Sequence, residues 1–137
     1  MTDPVSPLVL LVGHCTPDAW MLRTAVGRVD AGLELEAVNE HGDLSEHVAA
    51  NRRPLVLLVN RKLDGRFDAA DGIELIRGLE GAAVVPVLVS DLAEAHEEAA
   101  TVGGHPGFGK RALNDEATSS TIRDAIALAT DRHRASV

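Results

Sequence analysis

The most reactive side chains of the sequence stand directly after its first apolar run. His14 and Cys15 follow the run 8–12, and Thr16 and Pro17 then begin a helical pattern. Imidazole and thiolate are ligands for zinc and other transition metals. Two ligands do not complete a metal site, and a single cysteine excludes a cysteine-rich zinc site. A small-ligand or metal sensor that uses His14 and Cys15 is therefore one interpretation, and solvated or structural side chains are the other.

Three further polar side chains also follow apolar runs, namely Asn60, Ser90 and Lys110. A serine hydroxyl and a lysine ammonium both donate hydrogen bonds to anionic oxygens, whereas a carboxamide is neutral and is no nucleophile. The lysine is equally compatible with a structural ion pair to Asp64 or Asp91. A structural ion pair and a phosphate contact are therefore the two interpretations of Lys110.

Hydrophobic periodicity predicts the elements that position these side chains. Short continuous apolar runs are typical of strands buried on both faces, and apolar residues at helical spacing predict helices between them. The predicted strands are 8–12, 33–38, 55–59, 84–89 and 107–109, and the predicted helices are 16–29, 43–51, 73–79, 92–102 and 122–129. Acidic and apolar residues alternate at 33–38, which favours an edge strand. Five strands alternating with five helices predict an α/β three-layer sandwich with a parallel sheet.

In a parallel sheet of this kind, the loops at the carboxyl ends of the strands form the usual site. Those loops are 13–16, 60–70, 90–91 and 110–111. We therefore expect the polar side chains described above to meet at this edge. His96 is expected on a helix away from it, and the residues after position 133 are expected to fray.

Composition restricts the class of protein. A chain of 137 residues, 45% hydrophobic and 25% charged, fits one globular domain over 1–137. The net charge of −8 disfavours nucleic acid and anionic lipid as partners. No apolar run is long enough to cross a membrane, and the single cysteine fits a cytoplasmic location. One tryptophan, two phenylalanines and no tyrosine supply a flavin site poorly.

The order of these elements and several local strings resemble the receiver domain of bacterial response regulators. The strings are the run 55–59 before a polar loop, the helix start DGIELI at 71–76, the strand end VLVS at 87–90, and Lys110 after the fifth strand. The resemblance covers nearly the whole chain. It implies a flavodoxin-like fold with strand order 2-1-3-4-5.

In the receiver family, two acids after the first strand and an aspartate ending the third strand hold Mg²⁺, and that aspartate accepts a phosphoryl group. Carried over to this sequence, the acid pair falls on Gly13 and His14 and the acceptor on Asn60, while the phosphoryl-contacting hydroxyl and lysine fall on Ser90 and Lys110. Mg²⁺ prefers anionic oxygen ligands, and an acyl phosphate requires a carboxylate. We therefore expect no cofactor, no metal and weak or absent Mg²⁺ binding.

Asp64 is an alternative acceptor. It lies seven residues before Asp71, which is the family's spacing, whereas Asn60 requires a four-residue insertion. The apolar run nevertheless ends at Val59, and Arg61 can hardly continue a strand buried on both faces. Spacing favours Asp64, and strand geometry favours Asn60.

These features predict a stand-alone, degenerate receiver-like module, a pseudo-receiver, rather than an enzyme. It would act in two-component signalling by binding a protein such as a histidine kinase, without conventional aspartyl phosphorylation. The resemblance implies partner or homodimer contacts through the fourth helix, fifth strand and fifth helix. The alternatives are a phosphoacceptor response regulator that uses Asp64 in a rearranged loop, and the sensor that uses His14 and Cys15.

Overall fold

Strands and helices alternate along residues 5–79 and 82–136, which are the residues that the computed structural model describes. The strands are β1 (Leu8–Val12), β2 (Glu34–Val38), β3 (Leu55–Asn60), β4 (Val85–Val89) and β5 (His105–Phe108). The helices are α1 (Thr16–Val29), α2 (His41–Ala50), α3 (Gly72–Gly78), α4 (Ala93–Thr101) and α5 (Glu116–Ser136), with a 3₁₀ turn at Lys110–Ala112. Within these ranges the strands form one parallel sheet in the order β2-β1-β3-β4-β5, which confirms the predicted flavodoxin-like α/β sandwich.

The three central strands, β1, β3 and β4, are buried along their whole length. Leu10, Leu57 and Leu88 have no exposed surface, and burying each leucine contributes roughly 2 kcal/mol. At the sheet edge, β2 leaves Glu34 and Glu36 exposed, as the acidic alternation predicts. The apolar core therefore holds the three central strands in place. The polar residues at the C-terminal ends of these strands lie side by side.

Helices cover both faces of the sheet. Leu22 of α1 and Ile122 of α5 pack against one face, and Leu44 of α2, Ile76 of α3 and Ala95 of α4 pack against the other. Each strand of the sheet is followed by a helix, after a short loop except for the longer loop between β3 and α3, so the helices begin near the carboxyl edge of the sheet. Among the described helices, none is both long and apolar enough to cross a membrane.

The C-terminal helix is longer than the periodicity predicts. The expected fraying after position 133 is wrong, because α5 continues to Ser136. His133 is buried, and its Nε2–H donates to the carbonyl oxygen of Asn51 at 3.1 Å. The Asn51 amide also donates to the Ser136 hydroxyl at 3.0 Å. These contacts hold the last turn of α5 against the end of α2.

Two other elements begin earlier than predicted. β5 starts at His105 rather than at 107, and its register against β4 shifts between Val87 and Val89. α2 starts at His41 rather than at 43 because the His41 N–H donates to the Arg66 carbonyl at 2.8 Å. The start of α2 is therefore fixed by the loop after β3, a contact that has no signal in the local sequence.

Candidate functional site

A cavity of about 270 Å³ opens at the carboxyl edge of the sheet, above the ends of β3 and β4. Its lining residues come from the loops that follow β3, β4 and β5, and they are Asn60, Arg61, Lys62, Val89, Ser90, Asp91, Leu92 and Lys110. Of the residues singled out from the sequence, the cavity brings together Asn60, Ser90 and Lys110. Asp64 is not part of its lining.

Asn60 is the last residue of β3, and only 9% of it is exposed. Its Nδ2 group donates to the carbonyl oxygens of Gly13 at 2.9 Å and Lys62 at 2.7 Å. Both amide hydrogens are therefore used, and the side-chain oxygen remains as an acceptor. The carboxamide is a structural link between the ends of β1 and β3.

Gly13, which follows β1, has a backbone conformation that only glycine adopts without strain. Its φ is +74°, and a Cβ built at this position would lie 2.6 Å from Cδ2 of Leu63. The loop after β3 thus packs its leucine directly over the end of β1. An acidic side chain at position 13 would strain the backbone and displace the Leu63 side chain.

The loop 61–70 is held over the ends of β1 and β2 by backbone hydrogen bonds. The Asp64 N–H donates to the Gly13 carbonyl at 2.9 Å, and the Asp64 carbonyl accepts from Nδ2 of Asn39 at 2.7 Å. The Arg66 N–H donates to the Asn39 carbonyl at 2.8 Å. Asp64 is itself exposed. Its backbone is built into the loop, while its carboxylate lies outside the cavity lining.

His14 is 4% exposed and lies beneath this loop. Its Nε2 is 2.7 Å from the Leu58 carbonyl oxygen, which can only accept, so Nε2 carries the hydrogen and Nδ1 is unprotonated. No described group bonds to Nδ1. Burial lowers the pKa of His14 below 6.5, although the bond to Leu58 opposes this shift. The imidazole is therefore a neutral core histidine at pH 7.

The predicted metal pair is not assembled into a metal site. In residues 5–79 and 82–136, no group of three or more His, Cys, Asp or Glu side chains is placed to share a metal ion. His14 uses Nε2 on the backbone of β3, and Cys15 is half-buried at the start of α1. A metal sensor would need a third ligand beside His14 and Cys15, and the described residues supply none.

Lys110 forms a structural ion pair, as one interpretation of the sequence predicted, but its partner is Asp18, so the named partners Asp64 and Asp91 are wrong. The Nζ of Lys110 lies 2.7 Å from Oδ2 of Asp18, and both side chains are partly buried. The hydrogen bond from Lys110 lowers the pKa of the Asp18 carboxyl, and a bond from the Cys15 thiol adds to the shift. Asp18 lies in the first turn of α1. That turn in fact reaches over the sheet to the end of β5.

The loops after β4 and β5 are tied to each other. The Ser90 hydroxyl accepts from the Leu92 N–H at 3.1 Å, and Oδ1 of Asp91 accepts from the Arg111 N–H at 3.0 Å. The Nε2–H of His96 donates to the Ser90 carbonyl at 2.6 Å. The expectation that His96 stands away from this edge is therefore wrong, because α4 turns it back onto the end of β4.

The residues at this edge do not fit a magnesium ion. Of the ionisable side chains that line the cavity, Arg61, Lys62 and Lys110 are basic and Asp91 alone is acidic. Mg²⁺ demands oxygen ligands in octahedral geometry, and adjacent cations repel it. The nearby Asp18 carboxylate is occupied by Lys110. The cavity offers an electrostatic environment for anions instead.

Comparison with known proteins gives a structural likeness without a sequence match. No family model matches the chain, and no curated protein matches its sequence. The BeF₃-activated receiver domain of Klebsiella pneumoniae RstA is 16% identical with a TM-score of 0.64, and the match covers 88% of this chain and 98% of that one. The receiver domain of NtrX from Brucella abortus is 16% identical with a TM-score of 0.61, covering 89% and 97%.

Two longer chains match over part of their length. StyR is 21% identical with a TM-score of 0.67, and the match covers 95% of this chain and 64% of StyR. A longer NtrX structure from Brucella abortus is matched over 29% of its length. This chain therefore has the fold of the receiver domains of response regulators. A shared fold does not carry its chemistry with it, so function must be argued from the site.

Proposed function

We propose that this chain is a receiver-like signalling module, a pseudo-receiver that binds a protein partner without being phosphorylated on an aspartate. Its fold, shared with receiver domains, supports a role in two-component signalling. The partner is a histidine kinase or another signalling protein. In this proposal Asn60 occupies the position of the phosphoacceptor, and Gly13 and His14 occupy those of the acid pair.

One observation carries the proposal: the side chain that ends β3 in the cavity is a carboxamide with both of its N–H hydrogen bonds satisfied by backbone. An acyl phosphate forms only when a carboxylate oxygen attacks phosphorus, and an amide does not supply that oxygen. Ser90 and Lys110, which the resemblance assigns to phosphoryl binding, are engaged by Leu92 N–H and Asp18. Both side chains are therefore already used in contacts within the protein at the carboxyl edge of the sheet.

Protein contact is supported by apolar side chains left on the surface. Trp20 and Met21 of α1 are 68% and 50% exposed, and Leu92 before α4 is 52% exposed. Leu92 precedes the first residue of α4 and does not join the buried side of that helix, which Ala95 and Ala99 form. Tryptophan and methionine are enriched in protein interfaces, so their exposure fits docking.

The first prediction is that acetyl phosphate with Mg²⁺ leaves the mass of the protein unchanged. Intact-mass spectrometry at short times should detect no gain of roughly 80 Da, the mass of a phosphoryl group. The Asn60→Asp variant should also stay unmodified, because Gly13 and His14 supply no carboxylate to hold the ion. Asp64→Asn is the matched control. An adduct on the wild type that Asp64→Asn abolishes would establish the rearranged-loop phosphoacceptor and overturn the proposal.

The second prediction concerns a second copy bound through α4, β5 and α5. Sedimentation velocity should show a concentration-dependent dimer, and Leu92→Glu should weaken it by about tenfold or more, since a charge replaces an exposed apolar contact. Ala37→Glu is the control, because Ala37 is exposed on β2, at the edge of the sheet opposite β5. A wild type that stays monomeric at every concentration would contradict this part of the proposal.

A further inference from the structure

A groove with a volume of about 660 Å³ lies between α2 and α3, on the face of the sheet away from α1 and α5. α3 packs against α4 but has little contact with α2, and the loop 68–70 borders the space between α2 and α3. A Cβ built on Gly78, which lines the groove, would meet no atom within 4 Å. The volume lies within the range of roughly 300–1,000 Å³ that is typical of sites for small molecules.

Most of the side chains that line this α2–α3 groove are apolar. Leu44 of α2 and Leu75 of α3 line it and are buried. Val48, Ala69 and Leu79 also line it, pack against the same core and are only partly buried. A ligand that covers these three side chains removes their apolar surface from water, and this transfer favours binding. The groove therefore suits a molecule with an apolar body.

The polar side chains of the groove lie at one end of it. α2 and α3 run in the same direction, because each connects two strands of one parallel sheet. His41 and Ser45 belong to the first half of α2, Glu74 belongs to the first turn of α3, and Asp68 lies in the loop before it. The other end of the groove is apolar, and the residues that line it are Val48, Ala49, Gly78 and Leu79. The groove is therefore amphipathic along its length.

The polar end of the groove is acidic. Among the described residues that line it are Asp68 and Glu74, but no lysine or arginine. Nε2 of His41 lies 3.3 Å from Oδ2 of Asp68, and Nε of Arg77 lies 3.3 Å from Oε1 of Glu74. These side chains are largely exposed, so each pair is weak, and the second carboxylate oxygen of each acid can accept from a ligand. The charge of this end is complementary to a cation.

We propose that the α2–α3 groove binds a small amphipathic organic cation, a molecule with an apolar body and a protonated amine. The amine donates to the carboxylates of Asp68 and Glu74, and the apolar body lies between Val48 and Leu79. The same carboxylates repel an anion of similar shape. This inference goes beyond the proposed function, because it assigns a ligand to a groove outside the partner surfaces on α1, α4, β5 and α5.

Titration with octylamine, followed by amide chemical shifts, tests the site at pH 7, where an alkylamine is protonated as the lysine side chain is. Saturable shifts are expected in residues 44–49, 68–70 and 74–79, in roughly the millimolar range. Octanoate has a similar chain and the opposite charge, so it should bind at least about fivefold more weakly. Butylamine has a shorter chain and should bind at least about tenfold more weakly, because each buried methylene group contributes.

Two variants test the two ends of the groove separately. Ala49 is exposed and lines the apolar end, so Ala49→Phe should occupy that end and weaken octylamine binding by about tenfold or more. Asp68→Asn removes one exposed charge and should weaken binding by about twofold to fivefold. Ala100→Phe and Glu97→Gln are the matched controls. Both residues are exposed on α4 and lie outside the groove lining, so these variants should bind as the wild type does.

The absence of saturable shifts with octylamine, or octanoate that binds as tightly as octylamine, would overturn the proposal. Both of these comparisons use the wild type, so they do not depend on the folding of a variant. Shifts of the same residues with protein concentration alone would place a second copy in the groove, and binding of a leucine- and lysine-rich helical peptide instead of octylamine would place a protein segment there. Either result would also overturn the small-molecule proposal. The phosphorylation test measures a covalent adduct at another site, so its outcome is independent of these results.

Discussion

Replacing Gly72 with alanine should lower the free energy of unfolding by about 3 kcal/mol. Gly72 is the first residue of α3, and its N–H donates to the Arg61 carbonyl at 2.8 Å. A Cβ here would overlap the carbonyl oxygen of Asn60 and lie 3.1 Å from Cα of Arg61. These are backbone atoms at the end of a buried strand, so they do not move aside as a flexible side chain would. Urea unfolding followed by circular dichroism measures the loss.

Gly78→Ala is the matched control on the same helix. A Cβ at Gly78 meets no atom within 4 Å, and the residue is exposed at the end of α3. Alanine favours the helix over glycine, so this variant should be as stable as the wild type or more stable by up to about 1 kcal/mol. If both variants unfold at the same urea concentration, the close approach of α3 to the end of β3 is not what requires glycine at position 72.

The fold was predictable because its signals are local. Continuous apolar runs at 8–12, 55–59 and 84–89 read as strands buried on both faces, and the acidic alternation at 33–38 reads as an edge. Each run required only its own residues for the prediction. The bounds of β5 and α2 were less predictable, because a register shift and a contact with Arg66 decide them.

The candidate site was predictable only in part. Asn60, Ser90 and Lys110 follow three strands of one parallel sheet, so their meeting at one edge follows from topology. The pairing of Lys110 with Asp18 spans 92 residues and depends on how far the first turn of α1 reaches. No spacing in the sequence encodes that distance.

The loop after β3 is a second part of the candidate site whose contacts the sequence did not predict. The sequence shows the length of this loop, 61–71, but not how that length is used. In the structure, Leu63 lies over Gly13, and the Asp64 N–H donates to the Gly13 carbonyl. These contacts explain the glycine at position 13 by packing and backbone conformation.

Between pH 7 and 5, the wild type should lose stability more steeply than a His14→Gln variant. Burial lowers the pKa of His14 in the folded state below its ordinary value of 6.5. As the pH falls through that value, the unfolded chain binds a proton that the folded chain still excludes. The unfolded state then gains free energy of protonation at up to about 1.4 kcal/mol per pH unit. The difference levels off only below the folded-state pKa.

Glutamine suits the test because its amide can donate to the Leu58 carbonyl in place of Nε2–H, yet it does not titrate. Urea unfolding at several pH values should therefore give a flatter profile for His14→Gln, with a difference from the wild type that grows toward pH 5 and is at most about 2 kcal/mol there. The titration of Asp18 does not affect the comparison between pH 7 and pH 5. Its pKa is lowered below 3.8 by Lys110, so its contribution persists until the pH falls below that value.

Gly78→Ala should keep the wild-type slope, because it alters the helix without touching an ionisable group. Its profile should run parallel to that of the wild type, displaced by its own change in stability. Equal slopes in the wild type and His14→Gln would mean that the imidazole is protonated as easily in the folded protein as in the unfolded chain. Water would then reach Nδ1, and the loop that carries Leu63 and Asp64 would open at the end of β1 rather than seal it.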